Sequence, residues 1–123
     1  MYGPKMQRTS NSPVAVIRVE GQYTLALWYS DLRQWACLSR GTFVRGVIDE
    51  QFAMLRYASW CYGETATEGV TYIVQLKSGR LCVADRRDGQ WLRYNRDIKL
   101  RGDVMRFTSV NLMGWGTWND LSS

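Results

Sequence analysis

The chain has 123 residues, 46% apolar and 22% charged with two prolines, enough for one core and too few for two cores of ordinary size. A disordered or collagen-like chain is thereby excluded. The formal net charge is +5 and there is no histidine, which removes the side chain most used for proton transfer near neutral pH.

Residues 1–12 hold Gly, Pro, Ser, Asn and two bases, with no apolar stretch of the kind a secretory signal needs, and are expected to form a flexible arm. The remainder, 13–123, is expected to be a single domain. Pro13 opens the β-branched run Val14-Ala-Val-Ile-Arg-Val-Glu20, which reads as a strand. Gly21-Gln22 then separates it from Tyr23-Thr-Leu-Ala-Leu-Trp-Tyr29, a spacing that suits a type II′ hairpin. From Tyr23 to Arg40 two readings compete, because Leu25, Trp28, Leu32, Trp35 and Ala36 also fall at helical spacing.

An internal comparison favours strands. Shifting the chain by 56 residues matches Val14/Val70, Ile17/Ile73, Leu25/Leu81, Gln34/Gln90, Trp35/Trp91, Arg40/Arg96, Arg45/Arg101 and Gly46/Gly102, which relates 14–48 to 70–104. The second copy is easy to read: Val70 to Lys77, a Ser78-Gly79 turn, Arg80 to Asp85, an Asp88-Gly89 turn and Gln90 to Tyr94 make a three-stranded meander. One detail opposes the relation. Ala15, Ile17 and Val19 carry the apolar face of the first strand, but Val70, Tyr72, Val74 and Leu76 carry it in the second, at opposite parity, which calls for a bulge or a false repeat.

Between the copies, residues 49–62 are expected to form a helix, with Asp49-Glu50 in its first turn, few polar positions and Gly63 as its stop. A helix apolar nearly all round is buried or shared with a partner. The tail from Met105 to Trp118 suggests one more strand near Arg106 to Leu112, then an irregular aromatic end. The fold expected is α+β with β dominant: two three-stranded antiparallel meanders forming a curved sheet or small barrel, with one central helix.

Three cysteines without a Cys-x-x-Cys spacing argue against a disulfide scaffold or a zinc site, and no apolar run approaches the roughly 20 residues of a membrane span. The expectation is a cytoplasmic protein with reduced thiols that is neither membrane-bound nor dependent on a metal or cofactor. No phosphate-binding glycine loop or acyl-transfer elbow occurs, and Asp49-Glu50, Asp85 and Asp88 are explained as helix-start and turn residues. Binding is therefore expected rather than catalysis.

Charge distribution carries the functional signal. Lys77 to Arg106 holds nine bases against four acids, a net +5, while the other 93 residues balance seven against seven. In Gln90 to Tyr94, alternation puts Trp91 with Arg93 on one face and Leu92 with Tyr94 on the other, expected to be the core face. Trp91 and Arg93 with Arg86, Arg87, Lys99 and Arg101 would then form a basic, aromatic surface for DNA or RNA. The rival reading is a small regulatory or inhibitor protein. It would bind a protein partner or form a homodimer through the apolar helix and aromatic tail, with Trp60, Trp115 and Trp118 as anchors.

Overall fold

A computed structural model describes residues 14–63 and 65–118; the expected arm at 1–12 lies outside them. Strands β1 (Val14–Val19), β2 (Gln22–Tyr29), β3 (Gln34–Cys37) and β4 (Ile48–Met54) form one antiparallel sheet of order β3-β2-β1-β4. Strands β5 (Thr71–Leu76), β6 (Leu81–Arg87), β7 (Gln90–Arg93) and β8 (Val104–Ser109) form a second, of order β7-β6-β5-β8. In each, three hairpin-connected strands are followed by a fourth that returns beside the first, which is a Greek key. The chain forms two compact units: the first runs through Tyr57 and resumes at Gly114, and the second is Ala58–Met113.

These sheets correct the expected fold. Two four-stranded sheets replace the two three-stranded meanders of a curved sheet or barrel, and no described helix exceeds three residues. The expected helix at 49–62 is β4, then a 3₁₀ turn at Leu55–Tyr57, then irregular chain in which Cys61 bridges to Phe107. Pairing with β1 sets Met54 opposite Ala15, Ala53 opposite Val16 and Phe52 opposite Ile17, and all six residues are buried. A strand buried on both faces loses its polar alternation, and such a run cannot be told from a buried helix by periodicity. Among the described residues, no helix is long and apolar enough to cross a membrane.

The hairpins differ in loop length. Val19 pairs with Gln22, so the first turn is Glu20-Gly21, with φ of 51° and 80°. Two left-handed residues make it type I′, not the expected type II′, and place Gln22 in β2. The matching turn between β5 and β6 has three residues, 77–79, closed by Leu76 N–H to Arg80 C=O at 2.9 Å. The loop between β2 and β3 has four residues, against two, Asp88-Gly89, between β6 and β7.

Loop length accounts for the parity conflict. Ile17 pairs with Phe52 as Val74 pairs with Phe107, so the corresponding positions of β1 and β5 lie 57 residues apart. From Trp35 and Trp91 through the crossover to Val44 and Leu100 the separation is 56: Cys37 N–H binds Thr42 C=O as Arg93 N–H binds Ile98 C=O. Val44 N–H binds Trp35 C=O as Leu100 N–H binds Trp91 C=O.

On one face of the first sheet Ala15, Ile17, Ala26, Trp35, Phe52 and Met54 cluster; in the second unit Ala66, Tyr72, Val74, Leu76, Ala84 and Phe107 do so. Val16 and Ile73, on the opposite faces, are also fully buried.

Candidate functional site

β6 and β7 carry most of the residues singled out for nucleic-acid binding, and their register divides them. Arg86 pairs with Trp91 and Ala84 with Arg93, so these four share the face of the Tyr72 and Phe107 cluster. Arg87 pairs with Gln90 on the opposite face.

Trp91 is not laid open on a basic surface. Its ring centre lies 5.5 Å from those of Tyr72 and Phe107, and the Arg86 guanidinium carbon sits 5.0 Å from it. Arg86 Nε is 3.6 Å from Glu68 Oε2, and Glu68 also accepts the Gly89 N–H. Leu92, on the other face, is buried as expected. Trp91 and Leu92 are therefore both engaged in packing, while Gln90 and Arg93 at the ends of β7 are exposed.

Arg87 is also engaged. Its Nη1 lies 2.8 Å from Asp97 Oδ1, and Nη2 donates to Arg96 C=O at 2.9 Å. Asp85 accepts from Thr71 Oγ1 at 2.7 Å and from Asn95 N–H at 2.9 Å. Together they pin the loop 94–98, in which Asn95 takes a φ of 58°. Lys99 pairs opposite Leu92, outside β7, and is exposed.

Lys77 and Arg80 at the β5–β6 turn, Arg93 at the end of β7 and Arg101 in the crossover to β8 form a different group of cations. Lys77 N–H donates to Asp103 C=O at 2.8 Å, tying the β5–β6 turn to Arg101-Gly102-Asp103. Gly102 takes a φ of 97° beside Leu76, whose Cδ1 lies 3.4 Å from where a Cβ would stand. On the adjoining face Cys82 feels the charges of both Arg80 and Arg93; burial nevertheless pushes its thiol above the ordinary value. Lys77, Arg80, Arg93 and Arg101 are exposed and enter no ion pair among the described residues. Of the predicted residues only Arg93 and Arg101 belong to this group. Lys77 and Arg80 lay inside the basic segment, but nothing in the sequence shows that the crossover returns to the β5–β6 turn.

The expected partner anchors are structural in part. Trp60 stands in irregular chain rather than on a helix, with the Arg106 guanidinium carbon 4.1 Å from its ring centre. Arg106 also donates to Gln75 Oε1 at 2.7 Å and to Tyr62 Oη at 2.9 Å. Trp115 lies under Arg18 at 4.4 Å and 5.9 Å from Tyr23. Trp118, 46% exposed, reaches within 4.4 Å of Phe52 and 5.1 Å of Trp28 between ring centres.

No three His, Cys, Asp or Glu side chains converge as metal ligands among the described residues. Comparison with protein-family models, with curated proteins and with solved structures finds no match to the chain.

Proposed function

We propose that the protein is a non-catalytic nucleic-acid-binding module whose second unit grips backbone phosphates with Lys77, Arg80, Arg93 and Arg101, Lys99 adding to the rim. One observation carries this reading: Lys77, Arg80, Arg93 and Arg101, on the β5–β6 turn, the end of β7 and the crossover that the Lys77–Asp103 backbone bond ties to that turn, are exposed and enter no ion pair among the described residues. Asp97 is taken by Arg87 and Asp88 stands at the β6–β7 turn, so among the described residues Asp103, within the crossover itself, is the one acid set with these cations. Because Trp91 is packed among Tyr72, Phe107 and Arg86, phosphate contacts rather than ring stacking carry the affinity. Such binding is sequence-tolerant and falls steeply with salt.

Fluorescence anisotropy with labelled single-stranded DNA and RNA tests it. Neutralising about four phosphates predicts a slope of log K against log salt near −3 for a single strand. Alanine at Arg93 or Arg101 should reduce that slope by about 0.7. Absence of binding at micromolar protein in low salt, or a flat salt dependence, sinks the proposal.

A further inference from the structure

The first unit has its own crossover, from β3 to β4, and beneath it lies an open concavity of about 760 Å³. That volume falls in the range of small-molecule sites. It is lined by Arg40, Arg45, Thr24, Ser39, Thr42 and Phe43 and includes no carboxylate; the Thr24 hydroxyl donates to Gln22 C=O at 3.5 Å and Ser39 Oγ lies 3.4 Å from Cys37 Sγ. The carboxylate on the neighbouring turn, Glu20, is turned to the Val47 N–H at 2.8 Å. Arg40 and Arg45 enter no ion pair among the described residues.

The wall is built rather than loose. Gly41 N–H binds Cys37 C=O at 2.8 Å, Cys37 N–H binds Thr42 C=O at 2.7 Å, and Val44 N–H binds Trp35 C=O at 2.8 Å. Phe43 is braced edge-on by Tyr29, ring centres 5.9 Å apart, and is still 43% exposed. A flat ring has room to lie against it.

We infer that this concavity binds a phosphorylated small molecule of mononucleotide size, its phosphate held by Arg40 and Arg45 and its ring against Phe43. Two guanidinium forks without a competing acid suit a phosphate, with Thr42 on the same wall, and the aromatic wall selects a ligand with a flat apolar part over a bare ion. The site shares no residue with the proposed nucleic-acid surface of the second unit, so each stands or falls alone.

The test is a titration of the whole ¹⁵N-labelled protein with adenosine 5′-monophosphate, followed by amide shifts, with adenosine and inorganic phosphate in parallel. Amides of Ser39 to Arg45 should move with the mononucleotide, which should bind about tenfold more tightly than either fragment. Arg40→Ala and Arg45→Ala should each weaken it about tenfold, and Arg93→Ala should leave it unchanged. Both arginines are exposed, and retained amide dispersion checks that the variants fold. No shift at millimolar mononucleotide, shifts confined to the second unit, or inorganic phosphate binding as tightly as the mononucleotide would each overturn the inference.

Discussion

The guanidinium carbon of Arg106 lies 4.1 Å from the centre of the Trp60 ring, and the same guanidinium is held by Gln75 Oε1 at 2.7 Å. The first unit builds this arrangement with the partners exchanged between strands. Arg18 sits on β1, where Gln75 stands on β5; it donates to Gln51 of β4 at 3.3 Å and covers Trp115 at 4.4 Å. Both tryptophans precede a residue that bridges to the outer strand, Cys61 to Phe107 and Gly116 to Phe52. Each arginine thus fastens a Trp-bearing segment along the edge of its sheet, covering backbone groups that would otherwise be an open strand edge.

Replacing Arg106 by Ala removes a half-buried cation–π contact and a charge-assisted hydrogen bond, together worth about 2 kcal/mol. Urea unfolding followed by tryptophan fluorescence should show that loss. Arg106→Lys should recover only part of it, because an ammonium lacks the planar fork. Nucleic-acid affinity should change less than for Arg93→Ala; an equal or larger change would place Arg106 in the binding surface.

Asp85 serves the loop 94–98 from beneath, accepting from Thr71 Oγ1 and Asn95 N–H. Asp85→Ala leaves both donors without that acceptor and should cost about 2 kcal/mol. The loss should be local. Hydrogen exchange is expected to speed up at Asn95 and its neighbours while Ile73 and Val74 stay protected; uniform acceleration would refute a loop-pinning role.

The sequence was most legible where turn chemistry and alternation agree. Asp88-Gly89 has φ of 53° and 70° and joins β6 to β7 as its residues demand. Alternation in β7 correctly separated Trp91 and Arg93 from Leu92, but could not say which face is buried, since Leu92 is buried and Trp91 joins an aromatic cluster. β4 was illegible for a related reason: Phe52, Ala53, Met54 and Leu55 are all buried, so the period-2 signal is absent and the acids at 49 and 50 resemble a helix start. Of the candidate site, Arg93 and Arg101 were found by charge counting. Lys77 and Arg80 needed the Greek-key crossover, a long-range pairing without local signature.

Gly46 and Gly102 both close their crossovers in left-handed conformations, at φ of 111° and 97°. A Cβ on Gly46 would stand 3.3 Å from Val19 Cγ1 and Glu20 Cγ, tighter than the 3.4 Å that Gly102 leaves to Leu76. Strain at positive φ costs about 1 kcal/mol or more for an L-residue, and crowding adds to it at Gly46. Thermal unfolding should therefore show Gly46→Ala losing more stability than Gly102→Ala. If Gly102→Ala proved the worse, crowding at Val19 would not be the deciding factor.

Cys37 and Cys82 should part company as pH is raised. Burial pushes both thiols up. At Cys82 that effect prevails over Arg80 and Arg93. At Cys37 it is outweighed by the Ser39 hydroxyl at 3.4 Å, the Arg40 and Ser39 N–H groups and the Arg40 charge, so the thiol falls below its ordinary value. The thiolate is the nucleophile, so alkylation by iodoacetamide should reach its half-maximal rate at lower pH for Cys37 than for Cys82, read by peptide mass spectrometry. The linkage has the matching sign. With the folded value below the unfolded one, the Cys37 contribution to stability is present above the unfolded thiol value and is lost as pH falls through the folded one. Ser39→Ala should move the Cys37 profile upward by more than loss of the Arg40 charge does, since the hydroxyl contributes more than that charge. Reaction of Cys82 at the lower pH, or a Cys37 profile indifferent to Ser39, would show that the hydroxyl and N–H groups around Cys37 do not hold its thiolate.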